Sequence, residues 1–487
     1  MLFVVTLLAL LIVTGCQPEE VQVEVTRVVT ETEQVVVTRV ITEVVEVEGE
    51  EVEVTRVVET VVEVEVPVVP KGDREEVRFL LQENDPPSLE AFLSMEKEFE
   101  AEYPQYDVVM EITNPDVIGV KVASVIAAGG TLDVFQPDPA MAARLASEGS
   151  LLPIDDVVDT FGGPEAFFKN TLLQVDGSSY CMPYASGSPV LWYREDVFEE
   201  KGLEPPNTWE ELLAVSEAIY SDDMAAIALP GGENQFTTLL AQHFLWQNGT
   251  QVFDIDGNTQ LAGNERAAEA LQFYADLLQY APEGATGYSF GETIDAYTSG
   301  RVAMLVYWGR VLGRLYDNAP ELVDKTGAVP LPMNKMRVTF ADISYNCING
   351  DTDHPEASSA WLEFMARPEQ AVKLQLTVPG HLAPVTAEQA AALLASGNVP
   401  LTENPDIAEV LFGVNDYAYN LNLNRGGIDE ENLEIVNTGI VNAESSTLWG
   451  SNILARAVQE VFINGRDPVE VLAEAQVAIE EALEITQ

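Results

Sequence analysis

YCMPYASGSPVLWYREDVFEEKGLEPPNTWEEL, residues 180–212, carries three structural signals in a fixed order. Residues 180–184 are apolar and β-prone, 185–189 are small and turn-like, and 190–193 form a second apolar run, so the pattern predicts two strands flanking a flexible joint. The joint reads as a crossing between two bodies rather than the turn of a hairpin. A short helical turn over 196–201 stops at Gly202, and Pro205-Pro206 stiffens the link. Thr208 with Glu211 three residues on then forms a capping box that starts a helix.

Taken together, Pro183-Tyr184, the small residues after it, Leu191-Trp192-Tyr193-Arg194, Asp196-Val197-Phe198, Gly202-Leu203, Pro205-Pro206, Thr208-Trp209 and Glu211-Leu212 form a long, gapless run. The run resembles the extracytoplasmic solute-binding proteins of ABC importers, in the sugar-type group that includes maltose-binding protein. That resemblance implies an α/β, two-lobed periplasmic-binding-protein-like fold of type II. Each lobe would be a mixed sheet flanked by helices, and this segment would be one of several strands crossing the hinge. It further implies a binding subunit rather than an enzyme, with no cofactor or metal. The expected partners are a carbohydrate or other small polar solute and the membrane subunits of a permease, with the folded body a monomer.

At 487 residues and 47% hydrophobic composition the chain can bury two sizeable cores. Eighty acidic residues against 24 basic ones leave a formal charge of −56, which repels phosphate backbones and excludes nucleic acid as a partner. The acidic surface is read as keeping the protein soluble.

Residues 1–16, MLFVVTLLALLIVTGC, are an apolar run too short to span a bilayer comfortably, ending in Val13-Thr14-Gly15-Cys16. This end resembles a bacterial lipobox, in which the Cys16 thiol would be acylated and would anchor the chain to the extracytoplasmic face of the cell membrane. No Lys or Arg precedes the apolar core, a departure from the usual export signal. Residues 17–72 are nearly all Val, Glu and Thr, with Val-Thr-Arg recurring irregularly at Val25, Val37 and Val54. Val/Glu alternation favours an extended stalk or linker, and an oligomerising coiled coil is the competing reading.

The body is expected to divide into a first lobe over 73–184 and 327–385 and a second over 185–326 and 386–487. A strand over 77–82, a helix capped by Ser88, and a strand over 106–112 make a βαβ beginning. A helix broken at Gly129-Gly130 and a strand over 132–135 follow, and ligands bind in the crevice outside the carboxyl ends of such strands. Residues 253–258, FDIDGN, suggest calcium superficially, yet the terminal Glu and the loop length are missing, and a hairpin turn fits better. Residues 328–332 and 338–346 should return the chain to the first lobe, and Pro379-Gly380-His381-Leu382-Ala383-Pro384 should make a third crossing.

A sugar offers hydroxyls around its rim and a weakly apolar face, so its site needs aromatics to stack on and carboxylates or amides to bond. The resemblance places stacking aromatics at Trp308 and Trp449; Tyr184, Tyr193 and Trp246 are further aromatic candidates. Glu83, Asn84, Asp138 and Asn346 are the polar candidates, at or near strand ends, and His381 reads as an ordinary loop residue. Cys181 and Cys347 fall in strands near the hinge, where an exported chain permits a disulfide and two buried thiols are the alternative. A glycosidase built on two carboxylates is the competing class, and a surface adhesin acting through its stalk is a third. The three histidines are scattered, and no nucleophile, metal or phosphate-loop motif supports an enzyme.

Overall fold

The computed structural model describes residues 29–47, 50–68, 74–83, 86–113, 118–127, 132–420 and 424–486. The expectations for the lipobox with Cys16, for Asn84 and for the break at Gly129-Gly130 lie outside the described residues. The chain divides into two units, Met1–Arg74 and Glu75–Gln487. In the first, β1 (Val29–Val47) and β2 (Glu50–Val68) pair antiparallel, from Val29 opposite Val68 to Val47 opposite Glu50. Runs of β-branched Val and Thr favour this ribbon over the coiled coil, because their stiff χ1 suits a pleated backbone.

The second unit holds two sheets. The first runs in the order β4 (Tyr106–Ile112), β3 (Glu75–Leu81), β5 (Val134–Phe135), β13 (Asp342–Ile348), β7 (Ser178–Gly187), β6 (Leu173–Val175). Its β3, β4 and β5 are mutually parallel, and β13 joins β5 and β7 antiparallel. The helix between β3 and β4 starts at Pro86, ahead of the expected Ser88 cap; Ser88 lies inside its first turn, buried, with Oγ 3.1 Å from Thr377 Oγ1. Phe79 packs edge-on to Phe92 and Trp361 at 5.7 and 5.9 Å, forming the aromatic centre of this lobe.

The second sheet runs β11 (Thr326–Val329), β8 (Val190–Arg194), β10 (Val302–Tyr307), β9 (Ala225–Ala228). Every residue of β10 is buried, as expected of a central strand covered on both faces. The opening motif is now explained by its packing. Trp192 Nε1 donates to the Tyr307 carbonyl at 3.0 Å, and Arg194 forks onto Asp196 at 2.8 and 2.7 Å while reaching the Gly300 carbonyl at 3.2 Å. The helix Trp209–Ile219 carries the full Thr208/Glu211 capping box, and Gly202 ends the preceding helix in the left-handed region at φ 65°.

The chain crosses between the sheets from β7 to β8 through Ser188-Pro189 alone, so the joint is shorter than residues 185–189. The return differs from expectation as well. β11 still pairs with β8 in the second sheet, and the chain regains the first sheet only at β13, by way of β12 (Thr339–Phe340), which pairs with β14 (Ala418–Tyr419). A third crossing lies alongside, where Ser186 and Ala383 exchange backbone hydrogen bonds of 2.9 Å. Far from the hinge, the 253–258 segment is a turn: Phe253 bridges Thr259, and Asp254 Oδ1 accepts from the amides of Asp256 and Asn258. A last pair, β15 (Ile428–Asp429) and β16 (Glu434–Ile435), is antiparallel.

Cys181 and Cys347 face each other across β7 and β13 and are disulfide-bonded, with Cα atoms 4.4 Å apart. Three residues further along β7, the register shifts so that Tyr184 has no partner on β13. This bulge re-aims Tyr184, and the neighbouring Pro183, which has no amide hydrogen to donate, is tolerated there.

Candidate functional site

β10 ends at Tyr307, and the chain turns at Trp308-Gly309 into the helix Arg310–Asn318. Beside this turn opens a cavity of about 340 Å³, lined by Trp308, Tyr307 and Phe290 of the second lobe, Phe340 and Asp342 of the second crossing, His381 of the third, and Trp449 of a C-terminal helix. Gln235, Leu239 and Arg310 complete its rim. Among the described residues, the lining comes entirely from the second lobe and the crossings.

The aromatic wall is braced from behind. Trp308, only 3% exposed, packs against Phe236 at 5.7 Å, and Trp449 against Phe340 at 5.5 Å. Both indole Nε1 groups are buried and find no hydrogen-bond partner among the described residues. Buried donors are normally paired, so the packing around each indole leaves a hydrogen bond unmade. The hinge packs directly on the same wall: a Cβ on Gly187 would stand 3.2 Å from Trp308 Cδ1 and 3.1 Å from the His381 carbonyl.

Phe340 is held in place by His243, whose Nε2 accepts from the Phe340 amide at 2.8 Å while Nδ1 bonds the Leu239 carbonyl at 3.1 Å. Burial lowers the His243 pKa from 6.5 to about 4. The folded chain therefore refuses a proton that the unfolded chain accepts below pH 6.5, so this contribution is whole above that pH and drains away as the pH falls toward 4. By pH 5 the loss from His243 is about 2 kcal/mol. His381, lowered to about 3 by burial and by Arg310, acts in the same sense. Asp342 opposes it, since burial and then the Glu83 charge raise its pKa from 3.8 to about 6. The net expectation is a lower urea midpoint at pH 5 than at pH 7; a midpoint that held or rose would show that His243 is not enclosed as described.

The sequence candidates separate on this geometry. Trp308 and Trp449 line the cavity together. Glu83 and Tyr184 form a pair behind its hinge end, the Tyr184 hydroxyl donating to Glu83 Oε1 at 2.9 Å. Asp138 instead caps the helix Pro139–Ser147, accepting from the Met141 amide at 2.9 Å. Asn346 is buried inside the first lobe and accepts from Gln136 Nε2 at 3.1 Å. Trp246, 1% exposed, is core, packed on His243 and Tyr419. Tyr193 packs on Phe198 at 5.1 Å and lines a different depression, with Glu195 and Asn404. Asp342, Phe340, Phe290 and Arg310 line the cavity without having been expected there, and so does His381, which reads in sequence as an ordinary loop residue. Only an aspartate heading an apolar hinge strand, and a histidine in the third crossing, could have signalled two of them.

The putative ABC transporter periplasmic-binding protein YcjN of Escherichia coli is 25% identical over 297 residues, 59% of this chain and 67% of that one. A mannitol-binding protein of Pseudomonas aeruginosa is 27% identical over 230 residues, 44% of this chain and 50% of its own. Among solved structures, the sugar-binding protein MalE from Xanthomonas citri superposes with a TM-score of 0.68 at 20% identity, covering 85% of this chain and 98% of that one, and shows the same two-lobed type II fold. Residues 85–372 match the family of bacterial extracellular solute-binding proteins, and with more than half its length inside that match the chain belongs to this family.

Proposed function

We propose that the protein is the substrate-binding subunit of an ABC importer, capturing a neutral sugar or polyol at the hinge and delivering it to the permease. The observation that carries this reading is the cavity itself: Trp308, Phe340 and Trp449 line one space at the hinge together with the Asp342 carboxylate. About 340 Å³ lies at the small end of ligand cavities, which suits one or two sugar rings or a short polyol. The lining leaves the first-lobe side open, so hinge rotation would bring that lobe onto the solute, and solute would favour closure because only the closed form makes both sets of contacts. Within this reading Cys16 carries the lipid and residues 17–72 act as spacer to the body. The relatives named for a solute or a transporter support a binding role rather than turnover.

A thermal-shift screen of the protein against sugars, polyols, amino acids and short peptides tests the proposal. A solute at a hundredfold excess over its Kd adds about 2.7 kcal/mol, enough to raise Tm measurably. A sugar or polyol should shift the wild type and shift Trp308→Phe less, because the smaller ring removes part of the cavity's aromatic wall. A response confined to amino acids or peptides, or steady release of aryl alcohol from aryl glycosides, would refute it.

A further inference from the structure

The polar groups around the cavity are unevenly distributed. Asp342 stands at the hinge end, half-buried, opposite Gly187 of the first crossing, and its carboxylate has no hydrogen bond or ion pair among the described residues. Glu83 of the first lobe lies near enough for its charge to act on Asp342. At the far end Arg310 is exposed and opens the helix Arg310–Asn318, whose start at Gly309 has no side-chain cap. A guanidinium in open solvent is screened at high dielectric, and a helix terminus contributes about half a charge at most. Two carboxylates, one of them drawn out of water, outweigh these, so the field at the hinge end is negative.

Three ligand chemistries can be compared against this arrangement. A carboxylate or phosphate would suit Arg310 but would meet Asp342 as a like charge. An ammonium would satisfy Asp342 but would meet Arg310, on the same lining, as a like charge. A hydroxyl donates and accepts, so a polyhydroxyl compound serves both ends.

We propose that Asp342 is the specificity-determining residue of the cavity: it accepts hydroxyl hydrogens of a neutral sugar or polyol and excludes anionic forms of the same solute. The inference rests on the solute-binding reading above. It also explains why a partnerless carboxylate is tolerated at the hinge, since binding sites commonly sacrifice stability of the empty protein. Replacing it with an amide should therefore stabilise the empty protein while weakening binding, a combination that a merely structural residue would not produce.

The test is isothermal titration of the full chain, wild type and Asp342→Asn, with D-glucose, D-mannitol, maltose, D-glucosamine, D-glucuronate and glucose 6-phosphate, alongside thermal unfolding of both proteins without solute. The wild type should bind at least one neutral solute and should bind glucuronate and the phosphate at least tenfold more weakly than glucose. Asp342→Asn should lose roughly ten- to a hundredfold in affinity for the neutral solute, narrow the gap to the anions, and unfold at an unchanged or higher temperature; Asp342→Ser serves the same comparison if the amide variant loses its cooperative transition. Equal binding of neutral solute by wild type and variant, anions bound as tightly as glucose, or glucosamine preferred over glucose would each overturn this inference while leaving the solute-binding reading intact. Failure of all six to bind the wild type would overturn both.

Discussion

Gly309→Ala is expected to cost about 3 kcal/mol or more and to weaken solute binding, whereas Gly313→Ala, one helical turn on, should leave both intact or raise stability slightly. A Cβ on Gly309 would overlap the Gly380 carbonyl, which is backbone and cannot rotate away. Gly380 itself sits at φ 79°, in the left-handed region, so the third crossing cannot easily bend aside to make room. The next residue, His381, lines the cavity, and the preceding one, Trp308, forms its wall, so relieving the overlap would shift both. Gly313 is different: a Cβ there meets only Pro379 Cδ, at an ordinary 3.9 Å, and gains the helix propensity of alanine. Thermal or urea unfolding of the two variants, followed by titration with whichever solute the screen identifies, provides the check. Equal stability of Gly309→Ala and wild type would mean that the third crossing does not press on Trp308-Gly309 as described.

Removing the disulfide should have an effect of similar size on stability and little on binding. The bond joins residues 166 apart, and closing a loop of that length limits the unfolded chain by about 5 kcal/mol in the chain-entropy picture, with measured losses usually between 2 and 5. Cys181→Ala/Cys347→Ala is the informative variant, because serine would bury two hydroxyls at positions with no exposed surface. Both ends of the bond lie in the first sheet, so it clamps the roots of two crossing strands and does not tie lobe to lobe. Hinge rotation is then unhindered either way. A large drop in urea midpoint with an unchanged Kd is the expected result; an unchanged midpoint would mean that the thiols are free in the protein.

How much of this was legible beforehand depends on the range of the interaction involved. The capping box at Thr208 and Glu211, the Gly202 stop and the strand 106–112 are set by neighbours a few residues apart, and each stands in the structure where the pattern put it. The crossing from β7 to β8 was legible because a strand, small residues and a second strand follow without room for a hairpin. The motif around residues 180–212 was likewise enough to place the chain in its family.

The cavity was not legible in the same way. Trp246 and Trp308 are the same residue type in similarly apolar surroundings, yet one is enclosed in the core and the other faces the cavity, because what distinguishes them is which elements pack in front of the ring. Asp138 and Asp342 both follow or begin strands near the crevice; one is consumed by a helix amide and the other is left free. The sequence by itself determined the local elements, which rest on periodicity, capping and turn chemistry written in consecutive residues, and its motif run over 180–212 carried the resemblance that implied the two-lobed plan and the family. Only the tertiary structure decided that Phe340, Asp342, His381 and Trp449 meet Trp308, because residues up to 141 positions further along the chain (449 − 308) are brought together by crossings whose register no local pattern encodes.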